Sequence, residues 1–148
     1  MQYWIIVERL KNWEADKKNN FSTFGISNRY RRNASIVEKG DIFISYISSG
    51  ISSFSDVREV SAPDLTRLKF DDDYDTPFEW YFSTSPKLVL DRPKWLPVKE
   101  VAPSLDLTRG RKEWGSLFRT SLRKLSEKDG RFLSNLMFEM DLQGTKAS

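Results

Sequence analysis

Neither cysteine nor histidine occurs anywhere in the 148 residues. Their absence removes disulfides, thiolate nucleophiles, histidine general bases and nearly all zinc chemistry in one step. Ser–His and Cys–His constellations are excluded with them. A metal site would need oxygen ligands of the kind that hold magnesium or calcium. Long hydrophobic runs are missing too. Tyr3-Trp4-Ile5-Ile6-Val7, the longest run near the start, is too short for a signal-peptide core or a membrane span. The expectation is a soluble, cytoplasmic protein with no membrane partner. Charge of one sign is also in short supply: 24 Lys and Arg stand against 21 Asp and Glu, a net +3. That balance does not force a nucleic-acid partner.

What the chain does have is rings. Aromatics make up 14% of it, so the core is expected to form around large side chains. The length suits one domain spanning residues 1–148, able to bury a core without staples. The 30% of charged residues suits a well-solvated globule rather than a disordered chain. The charges are unevenly placed: acids gather between Asp71 and Glu79, and Arg and Lys between 109 and 124.

In order along the chain, Gln2–Glu8 reads as a buried strand. Asn12 is placed to cap a short helix, Trp13–Lys18, which Asn19-Asn20 ends. Phe21–Ile26 is extended, and Ser27–Ser35 is polar with a helical turn. Lys39-Gly40-Asp41 forms a turn whose Gly supplies a positive φ. It launches the strand Ile42–Ile47. Ser48–Ser53 is a hairpin connection, and Phe54–Val60 returns with Phe54, Asp56, Arg58 and Val60 on one face. Ala62-Pro63-Asp64 is expected to break that strand. Phe78–Asp91 is a further strand region, with Pro86 marking an edge or a bulge. Val98–Val101 is one helical turn, and Leu105-Asp106-Leu107 a short strand or brace. Ser126–Met140 is a helix opened by a box-like Ser126/Asp129 pair, with Phe132, Leu133, Leu136, Met137 and Met140 as its apolar stripe. Residues 143–148 are expected to fray. The sum is an α+β protein: a curled mixed sheet or barrel of about six strands, flanked by helices and closed by a C-terminal helix.

One stretch organises the rest, Phe21–Ile47. It sets an aromatic-glycine turn (Phe24-Gly25) beside an arginine-bearing loop, which suits a nucleobase with its phosphates. A hairpin with a solvated basic loop is the plainer reading. Nearly the whole chain, this stretch included, carries a family resemblance. Trp4-Ile5-Ile6-Val7 followed by Asn12-Trp13, Gly25-Ile26 with Arg29 to Arg32, Gly40-Asp41-Ile42-Phe43-Ile44-Ser45-Tyr46-Ile47, and Trp114-Gly115 through Phe118-Arg119 to Ser126 and Asp129 stand in this order. Together they resemble the EVE domain, a PUA-like fold related to the YTH domain. Phe24 stands where that family commonly has Trp beside the Gly. Ser53-Phe54-Ser55-Asp56-Val57 also departs from the family's Gly ahead of its "fEV".

The resemblance implies a reader of modified or flipped bases in DNA or RNA, with no catalytic residue set and no cofactor. It places a base pocket on Phe24, Gly25, Ile26, Ser27, Asn28, Tyr46, Trp80 and Trp114. Phe24 would be one stacking face and Tyr46 or Trp80 the other, each with a place in the core as the alternative, while Trp114 either lines the pocket or pins the last helix. Ser27 and Asn28 would meet the base edge or cap their turn, and Asn12 carries the same ambiguity. Arg29, Arg31, Arg32, Arg109, Arg111, Lys112 and Arg119 would hold the nucleic-acid backbone. The expected state is a monomer or weak homodimer. Two rival functions stand beside this one. Asp71, Asp72, Asp73, Asp75 and Glu79 could hold magnesium for phosphodiester hydrolysis. As a calcium loop the stretch fails, with Thr76 in place of the turn glycine and Phe82 in place of the bidentate Glu. Alternatively, apolar rings and the Ser48–Ser53 hairpin could dock a protein partner.

Overall fold

The computed structural model describes residues 1–67 and 80–146. Strands β1 (Tyr3–Glu8), β2 (Thr23–Ile26), β3 (Ile42–Ile47), β4 (Ser53–Arg67), β5 (Trp80–Val89) and β7 (Leu122–Leu125) share one curled sheet. The strand order is β2-β5-β4-β3-β1-β7, and a two-residue β6 (Leu96–Pro97) pairs with β4. The β1–β3 pair is parallel, with Glu8 opposite Ile47, and the other pairs are antiparallel. Helices α1 (Leu10–Lys18), α2 (Arg31–Ala34), α3 (Val98–Val101) and α4 (Glu127–Lys146) flank the sheet. Among the described residues no helix is long and apolar enough to cross a membrane.

Both faces of the sheet carry an apolar cluster, which is why β1 reads as a near-continuous run of buried residues. Tyr3, Ile5, Trp13, Phe21, Tyr46, Phe54 and Met137 belong to the larger cluster; Trp4, Ile6, Phe24, Phe43 and Phe82 to the smaller. Buried Asp41 ties the smaller cluster to the turn before β3. Its carboxylate accepts bonds from Trp4 Nε1 (3.0 Å), Gln2 N (2.8 Å) and Glu38 N (2.9 Å). Gly40 sits at φ +89°, as the expected turn requires.

Four expectations about elements are corrected. Helix α1 begins three residues earlier than predicted, with Arg9 at its N-cap. Asn12 therefore lies inside the helix rather than at its N-cap. Strand β4 runs on through Ala62-Pro63-Asp64, because register shifts around Ala62 let the ladder absorb the break. Phe54 does not share a face with Asp56 and Arg58. Tyr46 pairs with Phe54 and Ser45 with Asp56, so Ser55 is an extra residue; this bulge turns Phe54 into the larger cluster beside Val57. Leu105–Leu107 is a turn rather than a strand.

Pro86 does sit at a bulge, paired with Arg58 in a sheet-interior strand. The last helix continues to Lys146, past the expected fraying point at 143. Ser126 Oγ accepts the Asp129 N–H at 3.1 Å, but the Asp129 carboxylate turns away from the box to accept Asp106 N and Leu107 N at 2.9 and 3.0 Å. The same helix demands a glycine: a Cβ on Gly130 would lie 2.1 Å from Tyr3 Cγ.

Candidate functional site

Where parallel strands β1 and β3 end together, the chain leaves the sheet twice, into α1 and into the Ser48–Ser53 turn. The space between these exits is a cavity of about 400 Å³. Val7, Glu8 and Arg9 line it from the end of β1, and Asn12 and Asp16 from α1. Phe24 and Gly25 of β2, Ser48 and Ser49 of the turn, and Phe118, Arg119 and Ser121 ahead of β7 complete it. Its volume falls in the range of small-molecule sites, roughly 300–1,000 Å³.

The polar lining is graded. Arg9, Ser49 and Arg119 are exposed, whereas Asn12 (4%), Glu8 (6%) and Asp16 (1%) are buried. Behind the acids lies Arg58, fully buried on β4. Its guanidinium reaches Glu8 Oε1 through Nη2 (2.9 Å), Asp16 Oδ2 through Nη1 (2.9 Å) and Asp56 Oδ1 through Nε (2.8 Å). It also lies over the Phe21 ring, 4.9 Å from the centroid. Asp56 is further held by Trp13 Nε1 (2.8 Å), Ser45 Oγ (2.9 Å) and Ser55 Oγ (3.1 Å).

Three carboxylates thus share one guanidinium out of water. Burial, followed by the neighbouring Asp16 charge, pushes the Glu8 carboxyl well above its ordinary value of 4.5, and Glu8 hydrogen-bonds Asp16. For Arg58, burial alone would favour the neutral form; the charges of Asp56, Glu8 and Asp16 outweigh it and raise the pKa. The carboxylates converge on this guanidinium, and no metal-holding cluster occurs among the described residues.

Of the residues singled out from sequence, the fold brings Phe24, Gly25 and Arg119 to this cavity. The Phe24 ring packs edge-on to Phe43 at 5.7 Å within the smaller core cluster, and only 3% of the residue is exposed. Ile26 is buried in the same cluster. Trp80, Asn28 and Arg31 meet elsewhere, at the far end of β2. There the Trp80 Nε1 donates to Asn28 Oδ1 (3.2 Å), and the Arg31 guanidinium lies 4.3 Å over the indole. Ser27 N-caps the short turn 28–30 without a side-chain bond.

Tyr46 stacks on Phe118 at 4.1 Å and, with Trp114, lines a second cleft of about 370 Å³. Trp114 packs against the larger cluster, which includes Leu133 and Met137 of the last helix, and its Nε1 is buried with no hydrogen-bond partner. Arg29, Arg32, Arg111 and Lys112 are exposed, and Arg109 pairs at 3.5 Å with Asp106. The Asp71–Glu79 acids lie outside the described residues.

Sequence reading missed Glu8, Arg9, Asp16, Ser48, Ser49 and Phe118, and took Asn12 foremost for a cap. A signal was available: Asp56 and Arg58 are charges inside a strand, and buried charges need partners from other elements.

The EVE domain family model matches residues 2–136. The YTH domain of Mmi1 in complex with RNA superposes with a TM-score of 0.66 at 12% identity, covering 96% of this chain and 80% of that one. The YTH domain of Zygosaccharomyces rouxii MRB1, in complex with N6-methyladenosine RNA, gives 0.67 at 11% identity, covering 92% and 86%. Protein Atu2648 from Agrobacterium tumefaciens gives 0.58 at 18% identity, covering 93% of each chain. At these identities the likeness shows a shared fold. No curated protein matches the sequence.

Proposed function

The chain belongs to the EVE domain family, and on that premise we propose that it binds nucleic acid by taking one extruded base into the cavity between β1, α1 and β2. The observation that carries this reading is the grading of the cavity wall, with cations at the mouth and hydrogen-bonding groups within. Arg9 and Arg119 at the rim suit phosphates. Gly25, Phe24 and Phe118 offer apolar wall, and the Asn12 amide offers both a donor and an acceptor to a base edge. An extruded base needs such groups, because its polar edge must be paired once water is displaced. Trp80 and Arg31, already stacked on each other, offer a separate platform for a flanking nucleotide. Arg29, Arg32, Arg111 and Lys112 would add sequence-independent backbone contacts. This is a binding role, with no reaction and no cofactor. The N6-methyladenosine RNA complex of the Zygosaccharomyces rouxii MRB1 YTH domain makes a methylated base the first ligand to try.

Fluorescence anisotropy with short single-stranded oligonucleotides carrying one plain or methylated base, at two salt concentrations, tests the proposal. Asn12→Ala is expected to weaken binding and flatten any base preference. Arg119→Ala is expected to weaken all sequences alike and reduce the salt slope by about one. Binding that ignores both substitutions, or no binding at low salt, overturns it.

A further inference from the structure

We propose that the second cleft, which Tyr46 and Trp114 line, is a binding site for small apolar molecules that carry a carboxylate. This site lies apart from the base-binding cavity, and its occupancy does not depend on that reading.

Four separate stretches of chain form its walls: the end of β3, the turn after it, the junction of β6 with α3, and Trp114-Gly115. Ile51, Pro97 and Val98 give it an apolar body. Its volume of about 370 Å³ falls in the range of small-molecule sites, roughly 300–1,000 Å³.

The polar groups of the cleft are uncommitted. Tyr46 is only 5% exposed, yet its hydroxyl, like Ser52 Oγ and Lys99 Nζ, makes no hydrogen bond or ion pair among the described residues. That hydroxyl is not shut off from solvent, as Trp114 Nε1 is, so it opens to the space that Tyr46 lines. Trp114 Nε1 is a donor closed off from water and from any protein acceptor, which leaves its burial uncompensated. A turn of the indole toward the cleft would offer that N–H to a ligand.

Each of these groups can donate a proton, and the indole and the ammonium can do nothing else. No carboxylate lines the cleft; Glu100 and Glu113, next in sequence to Lys99 and Trp114, are exposed and outside the lining. The matching ligand has an apolar body and a head that only accepts. A carboxylate is such a head: its two oxygens take several bonds, and exposed Lys99 supplies the opposite charge. A hydroxyl on the same body lacks that charge. An ammonium meets donors and a like charge.

The probes are phenylbutyrate, phenylbutanol and phenylbutylamine, which share one apolar body and differ in the head. They are titrated into the isotope-labelled chain and followed by NMR through the indole N–H signals of its five tryptophans. The Trp114 signal is the one missing from Trp114→Phe. Phenylbutyrate is expected to shift that signal saturably, in the millimolar range for a molecule of this size. The alcohol is expected to bind about five- to tenfold more weakly, and the amine more weakly still. Lys99→Met should bring the carboxylate down to the level of the alcohol. Tyr46→Phe, which keeps a ring against Phe118 and removes only the hydroxyl, should weaken the carboxylate about threefold or more; urea denaturation establishes that both variants fold. Equal affinities for the three heads, or preference for the amine, overturns the assignment. So does a Trp114 signal that stays in place up to the solubility limit of phenylbutyrate, or carboxylate binding that ignores both substitutions. No oligonucleotide enters these titrations, so failure here leaves the base-binding reading standing.

Discussion

Replacing Arg58 with Met keeps much of the stem's volume and removes the guanidinium from between Glu8, Asp16 and Asp56. The side chain is fully buried, and all three partners lie at 2.8–2.9 Å. Breaking a buried ion pair on one side costs about 3–5 kcal/mol, because the stranded charge stays out of water. Against a typical total of about 5–15 kcal/mol, that is about a fifth or more of the stability. For a chain of this length it corresponds to a fall in Tm of about 6–20 °C.

The loss should depend on pH, and the sign is fixed by which state holds the proton. In the wild type the Glu8 carboxyl lies well above its ordinary 4.5 when folded. The folded chain therefore keeps a proton that the unfolded chain releases above pH 4.5. Stability from this group is complete below that value and declines as pH rises through the folded one. Arg58 holds the Glu8 value down, so without it that carboxyl is pushed further up, the variant's decline should run to higher pH, and its deficit should be larger at pH 8 than at pH 5. Urea denaturation followed by tryptophan fluorescence at both values reads this directly. Arg58→Lys should fall between, since one ammonium cannot fork to three carboxylates. A deficit under about 1 kcal/mol, well short of the buried-pair cost, would refute the network as the keystone of this end of the sheet. So would a larger deficit that is equal at the two pH values.

Other outcomes follow from the same geometry. Glu8→Gln removes the proton-holding group, so the fall of stability with pH above 4.5 should flatten in a pH series of urea midpoints. Gly130→Ala drives a methyl into the Tyr3 ring and should cost about 1–3 kcal/mol or more by thermal denaturation, as overpacking does. Trp13→Phe loses the bond to Asp56 at 2.8 Å and the edge contact with Trp95 at 4.9 Å; a loss of about 1–3 kcal/mol in urea is expected. Phe24→Ala should lower Tm sharply, because the ring is core, with a cavity cost of about 3–5 kcal/mol. A Phe24→Ala chain as stable as wild type would show that the ring is not core in solution.

The order of elements, the curled mixed sheet and the closing helix were legible in the sequence because each rests on local signals. Periodic apolar residues, the Gly40 turn and the Ser126 start can all be read within a few residues of themselves. Family membership was legible for the same reason, through short motifs in a fixed order. The strand through Pro63 and the change of face at Phe54 were not, since both depend on how β4 registers against its neighbours. The site divides in the same way. Phe24, Gly25 and Arg119 were found from sequence because an aromatic-glycine turn and an arginine announce themselves by type. Glu8, Asn12 and Asp16 look like solvated helix and strand-end residues until parallel pairing of β1 with β3 sets α1 over the sheet's end and Arg58 draws the acids inward. Only the tertiary structure could separate Trp80 from the cavity and bury the ring of Phe24, because a side chain's neighbours belong to strands far away in sequence. Composition determined what chemistry was possible here; the packing of β4 behind α1 decided where polar groups meet.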